Sequence, residues 1–69
     1  MSHIIIVKLQ RIGDNELMIH NQDQRHQQRS PITTEIMQIM KQKPTVFAEA
    51  RLQSNGEMVV VRRARDRSW

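Results

Sequence analysis

The segment running from Pro44 to Trp69 constrains this 69-residue chain more than any other, because it reads as two strands joined by one tight turn, with a basic end. Thr45 to Gln53 alternates apolar with polar side chains, Met58 to Arg65 runs back, and Ser54-Asn55-Gly56-Glu57 lies between them. Asn-Gly between two such runs is the strongest short hairpin signal, since both central positions of a type I′ turn need positive φ. With Asn55 and Gly56 as those positions, counting outward assigns every pair. Leu52 faces Val59, Ala50 faces Val61 and Ala48 faces Arg63. On the reverse face Arg51 meets Val60, Glu49 meets Arg62 and Phe47 meets Ala64. The apolar pairs then share one face and Glu49 opposes Arg62 on the other, as a side-chain period of two requires.

A second hairpin opens the chain. From His3 to Ile12, Ile5, Val7 and Leu9 share one face, while Ile4, Ile6, Lys8 and Gln10 share the other. Both faces are apolar at the start and only one at the end, as in a strand that enters the middle of a sheet and leaves toward its rim. Gly13-Asp14-Asn15 turns the chain, and Glu16 to His20 returns. A three-residue loop sets Leu9 opposite Ile19, Gln10 opposite Met18 and Lys8 opposite His20.

Between the hairpins, Asn21 to Arg29 holds nine residues without one apolar side chain, which predicts a mobile polar loop. Ser30-Pro31 then predicts a helix start, with Ser as the cap and Pro at the first helical position. Ile32, Ile36, Ile39 and Met40 follow as one apolar stripe, and Pro44 stops the helix. The expected fold is therefore α+β: two antiparallel β-hairpins flanking one amphipathic helix (ββαββ), packed as a two-layer sandwich. Residues 1–69 form a single small domain in this reading, with a polar loop over 21–29 and a basic C-terminal arm over 62–69.

Size bears on partners. A domain this small buries only about 60% of its unfolded surface. There is no cysteine to supply a disulfide. One helix covers one sheet face, which leaves Ile4, Ile6, Phe47, Met58 and Val60 on the other. That face is too apolar for water, so a homodimer is expected. The N-terminal run Ile4 to Val7 has no basic region before it and no small-residue cleavage site after it. It reads as a strand, not a signal peptide. No stretch approaches the ~20 apolar residues of a membrane span. Lack of cysteine fits a reducing compartment, and a cytoplasmic location is the expectation.

Chemistry is sparse. Ser2, Ser30, Ser54 and Ser68 fall at a terminus, a cap, a turn and a tail, and no base and acid are placed to activate one of them. His20 and His26 stand six apart across a polar stretch, which is no recognised metal spacing. The reading is of a protein that is not an enzyme, with no catalytic residues, no metal site and no cofactor. The charge is +4, from eleven basic and seven acidic residues. Arg62, Arg63, Arg65 and Arg67 crowd the last eight residues beside Trp69. Arginine presents a planar donor fork suited to phosphate, and a terminal indole can stack one base. These five residues are the candidate nucleic-acid-binding set. The alternative is a protein-interaction or regulatory module that acts as a homodimer through its exposed sheet face or edge.

Overall fold

A computed structural model of the protein describes residues 3–22 and 26–65. In chain order the elements are β1 (His3–Arg11), β2 (Glu16–Asn21), β3 (Gln27–Pro31), α1 (Thr34–Met40), β4 (Thr45–Leu52) and β5 (Met58–Arg63). All pairings are antiparallel, and the five strands lie in the order β3-β2-β1-β4-β5. The sheet curls into a half-barrel around a single short helix. The ββαββ two-layer sandwich is thus overturned: a fifth strand is present and the helix has only 7 residues.

The fifth strand, β3, falls where a loop and a helix start were expected. Asn21 ends β2, and from Gln27 onward the chain pairs again, with Met18 opposite Arg29 and Glu16 opposite Pro31. An edge strand needs no apolar face to form, because its ladder satisfies the main chain and one side can stay in water. Gln28 and Ser30 are half-buried, while Gln27, Arg29 and Pro31 are exposed. Pro31, the last strand residue, sits on an edge, where a missing N–H is tolerated.

Since Ser30 and Pro31 are taken up by β3, the helix cap falls to Thr33. Its Oγ1 accepts a hydrogen bond from the Ile36 N–H at 3.2 Å. Ile32 precedes the helix, donates its N–H to Asn15 O at 2.9 Å and still packs on the core. At the other end Lys41 and Gln42 are left-handed, with φ of 51° and 62°. Lys43, preceding Pro44, is disfavoured from helical conformation. A helix this short is unstable alone. Met40, Ile36 and Ile39 hold it against the sheet.

The core lies inside the curl. Val7 and Leu9 of β1, Leu17 and Ile19 of β2, Val46, Ala48 and Ala50 of β4, and Met58 of β5 are buried there with Met40. β1 is flanked on both sides, pairing Leu9 with Ile19 in β2 and with Val46 in β4. The expected register of the first hairpin is observed at all three of its pairs.

The second hairpin departs from expectation near its turn. Gln53 N–H donates to Glu57 O and Gly56 N–H to Gln53 O, both at 2.9 Å, so the loop is Ser54-Asn55-Gly56 and not two residues. Only Gly56 has positive φ there, at 88°. This is the geometry of a three-residue hairpin loop whose last residue is left-handed. Asn55 Oδ1 caps it by accepting from Glu57 N–H at 2.9 Å. The pairs nearest the turn consequently shift by one, to Leu52–Met58, Arg51–Val59 and Ala50–Val60. A bulge opposite Glu49 and Ala50 leaves Val61 unpaired and restores Glu49–Arg62 and Ala48–Arg63. Met58 and Val60 therefore join the core side, and Val59 takes a place on the outer face.

One side chain closes the curl. Gln28, on edge strand β3, accepts from Met58 N–H through Oε1 at 2.7 Å and donates through Nε2 to Met58 O at 3.0 Å. Its primary amide reproduces the two-bond pairing of one antiparallel residue and joins β3 to β5, the two edges of the sheet.

Candidate nucleic-acid interface

The topology sets most of the cations among the described residues in two connected groups. β1 ends, β4 begins and β5 ends at the same end of the half-barrel, because Gln10 pairs with Thr45 and Arg11 N–H donates to Pro44 O at 2.9 Å. Ala64 still donates to Phe47 O at 3.0 Å, so Arg65 follows the ladder past its last described bond. This end carries Arg11, Lys41, Lys43, Arg63 and Arg65. Arg11 spends its guanidinium on main-chain carbonyls, Gly13 O and Asp14 O, both at 3.0 Å, and not on a carboxylate. Among the described residues the acids of this end, Asp14 and Glu16, sit at the β1–β2 turn, and Glu16 lies 3.8 Å from Arg29.

The second group lies on the outer sheet face. Reading across β1, β4 and β5, Lys8 stands opposite Phe47, Ile6 opposite Glu49 and then Arg62, and Ile4 opposite Arg51 and then Val59. Three cations thus share the face with one carboxylate. Arg62 Nε reaches Glu49 Oε1 at 2.9 Å, an ion pair on the surface. Such exposed pairs contribute little stability. This one does, however, commit Arg62 to Glu49.

The sequence-derived site residues are accordingly not equivalent. Arg62 is exposed but paired, Arg63 is half-buried next to Ala48, and Arg65 is exposed. Arg67 and Trp69 lie outside the described residues. Lys8, Arg51, Arg11 and Lys43 were not singled out from sequence. Only the β1–β4 register brings them beside the arginine-bearing strand, and hydrophobic patterning does not reveal which strands neighbour each other. The apolar patch is smaller than expected. Met58 and Val60 have left it, Ile4 is 47% exposed and Val59 38%.

His20 faces the same side of the sheet. It pairs with Lys8 across β1–β2, and its Nε2 donates to Gln10 Oε1 at 3.0 Å. Partial burial, and then the Lys8 ammonium, hold its pKa below the ordinary 6.5. The unfolded chain therefore binds this proton more readily than the folded one. The contribution of His20 to stability is complete above 6.5 and is lost as the pH falls through the lowered folded value. A thermal-unfolding series should show the wild type weakening just below 6.5, before the carboxylates titrate, and His20→Gln lacking that step. Parallel curves for the two proteins would disprove the coupling.

A cleft of about 500 Å³ lies at the seam between Gln27–Arg29 and Asn55–Met58, with Glu57 as its one carboxylate. Among the described residues no three His, Asp or Glu side chains gather as a metal-binding group. No helix among them is long and apolar enough to cross a membrane. The chain matches no protein-family model, no curated protein and no solved structure.

Proposed function

We propose that this is a small non-enzymatic protein that binds nucleic acid through the cationic end of its half-barrel. The observation that carries the reading is the convergence of Lys43, Arg63 and Arg65, with Arg11 and Lys41, where β1, β4 and β5 meet. Cations with no carboxylate partner among the described residues can neutralise phosphates and release condensed counterions, which makes affinity fall as salt rises.

The test is titration with single-stranded RNA, single-stranded DNA and duplex DNA, followed by Trp69 fluorescence and mobility shift between about 50 and 200 mM salt. Lys43→Gln with Arg65→Gln should weaken binding to the bound polymer and reduce the slope of log affinity against log salt by about one per lost contact. Both side chains are exposed, so the fold should survive. Unchanged affinity and slope in the double variant would refute the cationic end as the site.

The homodimer is the second reading. Exposure of Ile4, Val59 and Val61, the last at 40%, favours it. It ranks lower because a two-fold contact on that face would gather Lys8, Arg51 and Arg62 of both copies into one interface, with Glu49 as the one carboxylate each copy offers there.

A further inference from the structure

We propose that the seam between β3 and β5 is a docking site for an extended, basic peptide segment of a protein partner, which adds as one more strand antiparallel to both edges and closes the half-barrel. This site uses none of the side chains of the cationic end and stands or falls independently of nucleic-acid binding.

Strand direction leaves the seam open. All neighbours in the sheet are antiparallel, so β3 and β5, the first and last of five strands, run the same way. Two edges that run alike leave room for one strand opposed to both, and alternating strands then close on themselves. The main chain is set for such a strand. Gln53 N–H donates to Glu57 O, so Glu57 and Val59 turn their main-chain groups to β4, and those of Met58 and Val60 face the seam. On β3, Asn21 N–H donates to His26 O and Ile32 N–H to Asn15 O, so Gln28 and Ser30 bond toward β2 while Gln27 and Arg29 present their groups to the seam. Among the described residues no strand pairs with Val60 on that side. Such an edge is where an extended peptide adds through main-chain hydrogen bonds.

The groove beside β5 sets the side chains of the occupant. About 420 Å³ lies between the sheet and α1, floored by Ile19, Ile36, Ile39, Met58 and Val60. A strand sends every second side chain to one face, so apolar side chains at alternate positions of the peptide fill this space. Glu35 and Glu57, both exposed, stand on the rim, and no lysine or arginine lines the groove. Neither acid has an ion-pair partner among the described residues. In a chain of net charge +4 this acidic rim selects lysine or arginine at the intervening positions. Gln28 is then a placeholder. In the free protein its amide stands in for one residue of the added strand, and an incoming peptide takes over both Met58 bonds as the edges part.

The test uses dye-labelled synthetic peptides with blocked ends: alternating lysine and valine, alternating glutamate and valine, and the lysine–valine peptide with proline at its centre. Fluorescence anisotropy follows binding, and amide hydrogen exchange measured by NMR reports on the Val60 N–H. The lysine–valine peptide should bind, protect that N–H, and lose about tenfold in affinity with the central proline, which removes a ladder donor. Glu35→Gln with Glu57→Gln should weaken it about threefold at low salt. Gln28→Leu should tighten it about tenfold, because the competitor for Met58 is gone, an effect that a merely structural role for Gln28 would not produce. Circular dichroism confirms that each variant is folded, and the exposed glutamates carry the test should Gln28→Leu unfold.

No binding of the lysine–valine peptide, or equal binding of all three peptides, would overturn the proposal. So would binding that leaves exchange at Val60 unchanged, because the peptide would then lie elsewhere. A peptide-free protein that sediments as a dimer with Val60 N–H already protected would assign the edge to a second copy and overturn it as well.

Discussion

Gln28→Leu should lower the stability of the protein by about 2–4 kcal/mol, because it strips both main-chain partners from a buried residue. Met58 is only 3% exposed, and its N–H and C=O are both bonded by the Gln28 amide, at 2.7 and 3.0 Å. Leucine fills similar space but offers neither group, so the penalty is that of orphaned polar atoms and not of a cavity. In a domain of this size a loss of that order lowers the melting midpoint by more than about 10 °C. Gln28→Glu makes the test specific. A carboxylate accepts from Met58 N–H but sets a negative oxygen against Met58 O, whereas a protonated carboxyl restores both bonds. The fold therefore raises the pKa of this glutamate above its unfolded value, near 4.3. The restored stability is present below that value and is lost as the pH rises through the folded one. Calorimetry should find Gln28→Glu close to wild type in acid, on a common pH baseline, and close to Gln28→Leu at neutral pH. Tolerance of leucine with no loss would show the two edges to be held by other contacts.

Val60→Asp should unfold the protein, whereas Val59→Asp and Val61→Asp should each change its stability by roughly half a kcal/mol. Val60 packs against the core, while Val59 and Val61 are 38% and 40% exposed. An aspartate at Val60 would bury a carboxylate among Ile36, Ile39 and Met58, where no cation is at hand, at a cost of several kcal/mol. At position 59 the new carboxylate lies opposite Arg51, a favourable cross-strand pair. The expectation follows from the one-residue shift at the turn. With an Asn55-Gly56 two-residue loop, Val59 and Val61 would face inward, and the sensitive and tolerant positions would trade places. Urea unfolding of the three variants distinguishes the registers directly.

The same hairpin shows what the residues disclose and what they conceal. Glu49–Arg62 and Ala48–Arg63 were readable by counting, and they are observed. The three pairs nearest the turn were not, because Asn55-Gly56 satisfies two loop lengths equally well. A bulge at Val61 then hides the difference from any pattern of period two. Lys8–His20 was legible since Gly13-Asp14-Asn15 admits one loop that keeps Leu9 with Ile19. β3 was illegible for a different reason. Hydrophobic alternation reports burial, and a strand on an edge, with Gln28 and Ser30 only half-buried, has little burial to report. The Ser30-Pro31 pair suits a helix start as well as an edge-strand end, and only the presence of Thr33 three residues later allowed the helix to begin without it. For the interface, sequence gave the arginines of β5 but not their neighbours. Lys8 and Arg51 lie more than forty positions apart in the chain and meet on one face through β1–β4 pairing alone.

The central position of β1 also sets a timetable for assembly. During synthesis β1 can take β2 as a neighbour almost at once, but its other side must wait for Thr45–Leu52. Ile4, Ile5 and Ile6 lie beyond the reach of the short β2, so this apolar stretch has no partner strand until Glu49, Ala50 and Arg51 of β4 have been made. Closing such a distant pair carries a large loop entropy and slows folding, and an unpaired apolar strand is open to capture by other chains. The apolar start of β1 is thus most open to misassociation between synthesis of the helix and completion of β4.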